Sequence, residues 1–196
     1  MKNLKFSLLT LGLSGMVMLS CSQKTDAGTN ADTARDSGAV ETADSAAIAA
    51  EKKKAAELEK SKLPKPYNEH EDAAKKIDEL VQLAKAENKN IILQAGGNWC
   101  IWCLRFNNYV QTTPELKQVV DDNYLYYHLN YSPDNKNEEV FARYGNPGEQ
   151  YGYPVFIVLD QNGKQIHTQD SAVLEEGKGY SKDKVLDFFN RWKPGA

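Results

Sequence analysis

The stretch NIILQAGGNWCIWCLRFNNYV, residues 90–110, decides how the rest of the chain is read. An apolar run from Asn90 to Ala95 gives way to Gly96-Gly97-Asn98-Trp99, and an amphipathic segment follows from Leu104 to Val110. A strand, a turn and a helix are expected in that order, with Cys100 and Cys103 at the junction. Thiols three positions apart in such a place can form and break a disulfide with little backbone movement. Cys100 falls at the helix N-terminus, where unpaired N–H groups and the helix dipole stabilise a thiolate, so it is the expected attacking thiol. Cys103 lies one turn further in, on the side that Phe106 and Val110 continue. It should be more buried, and it should act as the resolving thiol that attacks the mixed disulfide formed by Cys100.

Two other readings stand beside exchange chemistry. Half of a zinc site would need two more ligands, and the remaining candidates, His70, His128, His167 and Cys21, are scattered along the chain. A static disulfide across so short a loop would constrain the unfolded chain little. Exchange is the favoured reading, with no metal and no organic cofactor required.

A length of 196 residues allows one domain with a long tail. Residues 1–20 carry a basic start at Lys2 and Lys5 and an apolar core from Phe6 to Leu19, the pattern of a signal peptide, too short for a stable membrane span. Its end, Met18-Leu19-Ser20-Cys21, resembles the lipobox of bacterial lipoproteins, although Met18 stands where leucine is usual. That resemblance implies lipidation of Cys21, and several acyl chains at about 0.8 kcal/mol per buried CH₂ would make the anchor durable. Ser22 after the cysteine leans toward the outer membrane. Without residues 1–20 the chain keeps 22 basic against 27 acidic residues, so nucleic acid is not an expected partner.

Residues 21–62 are dominated by Ala, Asp, Thr, Ser, Gly, Glu and Lys and bury too little surface to offset ordering, which predicts a flexible linker. Within it, Ser45 to Lys60 has the composition of a transient helix. Pro64 and Pro66 mark the start of the globular part, residues 63–196. Ala73, Ile77, Leu80, Val81 and Ala84 lie on one face of a helix within His70 to Glu87, and Asn88-Lys89-Asn90 ends it. Thr113-Pro114-Glu115 opens a short helix. Tyr124 to Asn130 reads as a strand in which His128 is an ordinary strand residue, and Asn137 to Tyr144 as a helix. Gly145-Asn146-Pro147-Gly148 reads as a loop. Val155 to Leu159 is a buried strand joined by a turn at Asp160-Gln161-Asn162-Gly163 to a strand from Lys164 to Thr168. Ser181 caps a closing helix with Val185, Leu186, Phe188, Phe189 and Trp192 on its apolar face. Strands alternating with helices predict parallel pairing, and the tight turn adds an antiparallel hairpin, giving an α/β domain with a mixed central sheet covered by helices.

Trp99-Cys100-Ile101-Trp102-Cys103 after a buried strand, with Gly152-Tyr153-Pro154 directly before another, resembles the thioredoxin-like superfamily over residues 70–193. The likeness is greatest to bacterial thioredoxin-like proteins with a second aromatic inside the C-x-x-C motif. It implies a thioredoxin-like fold in which Pro154 is cis and faces the dithiol, and in which the Tyr153 backbone pairs with an extended substrate. Trp99 and Trp102 would add an apolar platform. It also implies a departure, because thioredoxin carries a buried Asp at the position of Gln94, and Gln94 cannot ionise.

Taken together, these features predict an exported, lipid-anchored thiol-disulfide oxidoreductase of the bacterial cell envelope, acting on protein thiols and disulfides with an unidentified redox partner. The alternative is a non-catalytic binding module of the same fold, in which the Cys100–Cys103 disulfide is structural and the aromatic groove holds a partner protein.

Overall fold

The computed structural model describes residues 38–196; the signal peptide expected over 1–20 and the lipidation expected at Cys21 lie outside them. Of the linker expected over 21–62, with helical composition from Ser45 to Lys60, residues 38–62 are described. Residues Gly38–Lys62 form one α-helix, α1. Ala, Glu and Lys are strong helix formers, and a Lys60–Glu57 pair one turn apart adds to the helix end. The exposed α1 is held to the domain where Arg105 donates two hydrogen bonds to the Glu59 carboxylate, at 2.8 and 2.6 Å.

The globular part begins with α2 (Ala73–Glu87), whose N-terminus is capped by the Asp72 carboxylate accepting from the Lys75 N–H at 3.1 Å. Asn88, at φ 54°, closes it in the left-handed conformation that asparagine tolerates. Strand β1 (Asn90–Gly96) follows and is buried along its whole length. Next come α3 (Ile101–Thr112), α4 (Pro114–Asn123) and β2 (Tyr124–Asn130). The remaining α-helices and strands are α5 (Glu138–Arg143), α6 (Pro147–Tyr151), β3 (Val155–Leu159), β4 (Gln165–Asp170), a two-residue pair β5 (Glu175–Glu176) and β6 (Gly179–Tyr180), and α7 (Lys182–Arg191), with a 3-10 turn at Ala172–Leu174 before β5.

The main sheet runs β2-β1-β3-β4. β1 pairs parallel with β2, so that Gln94 stands opposite His128, and antiparallel with β3, where Gln94 faces Phe156. The β3–β4 hairpin is antiparallel. The fold is thioredoxin-like, with the expected mixed sheet and flanking helices.

Strand alternation divides the core. Ile91, Leu93 and Ala95 face α2 with Ile77 and Ala84, whereas Ile92 faces Phe106 of α3 and Phe188 and Phe189 of α7. Each buried Ile, Leu or Phe among them contributes about 1.5–3 kcal/mol of transfer free energy. Gln94 shares the parity of Ile92, which sends its amide beneath α3 and next to the cysteines.

Two local readings change. The loop expected at 145–148 is a turn through Gly145 and Asn146, both at positive φ, into the short helix α6 with Pro147 at its first position. The β5–β6 pair was not anticipated, because two-residue strands leave no periodic signal. Among the described residues no helix is long and apolar enough to cross a membrane.

Candidate active site

Cys100 is the N-cap residue of α3 and Cys103 its third helical residue. They are joined by a disulfide with Cα atoms 5.3 Å apart. The Cys103 N–H donates to Cys100 Sγ at 3.1 Å, so the helix N-terminus aims a donor at the sulfur that would carry thiolate charge. Cys100 is 7% exposed and Cys103 is fully enclosed, the order expected of an attacking and a resolving thiol. Phe106 and Val110 continue the buried face below Cys103.

The loop before β3 closes over this point. The Tyr153–Pro154 bond is cis, and the Tyr153 carbonyl oxygen lies 3.6 Å from Cys100 Sγ. Trp99 is 46% exposed, donates its indole N–H to the Tyr131 carbonyl at 2.7 Å and meets Tyr153 edge-on. Tyr153 in turn stacks on Tyr131 at 5.3 Å. The result is an aromatic shelf beside Cys100 with polar atoms fixed underneath. Trp102 is placed differently: it touches the sulfur cluster, but packs edge-on against Tyr180 and lies under the Arg105 guanidinium. The structure therefore brings Trp99, Tyr153 and Pro154 together around Cys100, and sets Trp102 against the helix support.

Beneath the bridge lies a polar pocket. Gln94 is fully buried, and its Nε2 donates to the Cys103 carbonyl at 2.9 Å and to Tyr67 Oη at 2.8 Å, while its Oε1 accepts from Tyr126 Oη at 2.6 Å. Burial pushes the Tyr67 and Tyr126 phenols well above their ordinary range. His128 stands beside them with its ring 5.1 Å from that of Tyr67. Its buried Nε2 has no hydrogen-bond partner, and desolvation lowers its pKa to about 4.

Tyr67, Tyr131 and Asn98 were not singled out by the sequence. Asn98 ties the Tyr67 segment to the active-site turn, accepting from the Tyr67 N–H at 3.2 Å and donating to its carbonyl at 2.8 Å. A peptide segment 31 residues away in sequence leaves no local pattern linking it to the cysteines. Its one cue is the extended Pro64-Lys65-Pro66 run that precedes it.

Comparison with known proteins agrees with the geometry. Residues 72–161 match a family model described as thioredoxin-like. The chain is 28% identical over 90 residues to the thiol:disulfide interchange protein DsbD of Salmonella typhi, and 29% over 90 residues to that of Citrobacter koseri. Each match covers 45% of this chain but only 15% of the relative, so the chain spans a small part of these longer proteins. Among solved structures, a disulphide isomerase from Xylella fastidiosa Temecula1 is similar with a TM-score of 0.58 and 25% identity, over 66% of this chain and 97% of the other. The thioredoxin-like fold and its C-x-x-C pair set the coarse class, a thiol-disulfide oxidoreductase.

Proposed function

We propose that the Cys100–Cys103 pair exchanges electrons with protein thiols and disulfides in the bacterial cell envelope, on a domain tethered to the membrane by a lipid at Cys21. The observation that carries the exchange reading is the Cys103 N–H donating to Cys100 Sγ at a helix N-terminus, 3.6 Å from the carbonyl of a residue preceding a cis proline. A thiolate at Cys100 is stabilised there and an extended substrate can align along Tyr153.

In the reducing direction the Cys100 thiolate attacks one sulfur of a substrate disulfide and releases the other as thiolate. Cys103 then loses its proton and attacks Cys100 Sγ, the ring disulfide forms, and the second substrate sulfur leaves with the bonding electron pair. Two electrons pass from the pair to the substrate. Trp99 and Tyr153 supply the apolar shelf for the residues flanking the substrate cysteine, and Pro154 holds the Tyr153 backbone toward it. α1 and the chain before it give the domain reach from the membrane.

The test is the reduction potential of the pair, read by thiol alkylation and mass after equilibration in glutathione buffers. A reversible two-electron transition between about −270 and −120 mV is expected. A bridge that stays closed below about −300 mV would be structural. The chain would then be a binding module that offers its aromatic shelf to a partner.

A further inference from the structure

The pocket under Cys103 holds Gln94 where thioredoxin, by the resemblance above, has a carboxylate, and the Tyr67 phenol lies beside it. We propose that Tyr67, positioned by Gln94 and Asn98, donates its hydroxyl proton in a hydrogen bond to the Cys103 sulfur and so stabilises the resolving thiolate. The inference rests on the exchange reading above and names the group that serves its second step.

The amide of Gln94 can be oriented only one way. The Cys103 carbonyl has no proton to give, so the end of Gln94 facing it must be the Nε2 donor, 2.9 Å away. The other Nε2 proton goes to Tyr67 Oη at 2.8 Å, which makes that oxygen an acceptor and leaves its own proton to point elsewhere. Cys103 lies in the same buried cluster. A Cβ placed on Gly96 would lie 2.5 Å from Cys103 Sγ and 2.9 Å from Tyr67 Oη, so both atoms border the space left open over a residue with no side chain. Tyr67, Cys100 and Cys103 form one buried cluster.

Tyr67 is 3% exposed and burial holds its phenol protonated at any working pH, so it serves as a donor and not as a base. The titratable groups on the elements packed around it are Tyr126 and His128 of β2 and Tyr180 of β6, with Glu69 near Asn98 at the rim. In the closing step Cys103 loses its proton to water, its thiolate attacks Cys100 Sγ, and the substrate thiolate leaves. In the reverse step an incoming thiolate attacks Cys100 Sγ and the Cys103 thiolate departs into the same hydrogen bond. A donor prepositioned where charge develops needs no reorganisation. Tyr67 lies ahead of the segment 72–161 that matches the thioredoxin-like model, so this chain supplies the group from outside the matched part.

The full chain in detergent, with Cys21→Ser so that the pair holds its only thiols, is reduced and mixed with one equivalent of 5,5′-dithiobis(2-nitrobenzoate). Attack by Cys100 releases a first coloured thiolate, and resolution by Cys103 releases a second. Tyr67→Phe should leave the first phase within about twofold, slow the second about tenfold at pH 7, and move its pH midpoint up by about one unit. A folded Tyr67→Phe protein with an unchanged second phase, or with both phases slowed alike, overturns the inference. Absence of a second phase in the parent chain overturns the exchange reading itself. If Tyr67→Phe does not fold, 3-fluorotyrosine at position 67, a more acidic donor of nearly the same shape, should speed the second phase and lower its midpoint. No change there overturns the inference as well.

Discussion

Gln94 and His128 stand opposite each other on paired strands, yet their polar atoms are met very differently. Every hydrogen-bonding end of the Gln94 amide is used, so Gln94→Leu takes the acceptor from the Tyr126 hydroxyl and the donor from the Tyr67 oxygen. Each buried group left unmatched costs about 1–3 kcal/mol, and chemical denaturation should show a loss of at least that size. His128 has an unmatched Nε2 and a pKa lowered to about 4 by desolvation. The unfolded chain takes up that proton first, near pH 6.5, so the folded state is fully favoured above that pH and loses ground as pH falls toward 4. The loss approaches about 3 kcal/mol, at 1.36 kcal/mol per pH unit. His128→Phe should flatten the urea midpoint between pH 6.5 and 4, and a parent-like slope in the variant would contradict the account. The cysteines, Trp99, Tyr153 and Pro154 were legible because motif spacing and a strand-entry proline are local signals. Tyr67 was not, because contact between a tyrosine ahead of α2 and a helix thiol depends only on tertiary packing.

Helix α3 connects the chemistry to the core. Phe106, one turn beyond Cys103, is fully buried and meets Phe156 at 4.4 Å, Tyr180 at 4.8 Å and Phe189 at 6.3 Å, so it joins the helix to β3, to the β5–β6 pair and to α7. Phe106→Ala should cost about 3–5 kcal/mol in thermal or chemical unfolding. A loss under 1 kcal/mol would show that α3 is held mainly by other contacts. The helices with full apolar faces, α2, α3, α4 and α7, and the strands β1 and β3 were readable from periodicity. The β5–β6 pair was not, although its Tyr180 donates to the Trp102 carbonyl at 3.1 Å and braces the first turn of α3. Two residues per strand carry no period. The α1–domain link is weaker: Arg105 and Glu59 are 19% and 44% exposed, so Glu59→Ala should change stability by no more than about 1 kcal/mol.

At the scale of the whole molecule, the segment matching the thioredoxin-like model does not coincide with the working unit. It begins at residue 72 and stops at 161, leaving out Tyr67 on one side and β4 and α7, with their buried Phe188 and Phe189, on the other. A fragment 63–196 should unfold within a few degrees of 38–196 and keep both phases of the disulfide reaction. A fragment 72–196 gives up a buried aromatic worth about 3–5 kcal/mol and should show the slow second phase of Tyr67→Phe. Equal second-phase rates in the two fragments would contradict this boundary. The shift in composition at Pro64 and Pro66 sets the boundary proposed here, but it gives no sign that the residue just beyond them packs with the cysteines. The two indoles of the motif have a further consequence. Trp99 and Trp102 flank the bridge, while the third tryptophan, Trp192, stacks on His167 of β4 at 4.1 Å. A disulfide quenches an excited indole at close range, so opening the bridge should brighten the ultraviolet emission of the first two, and the oxidation state of the pair can be followed by light alone, without a label.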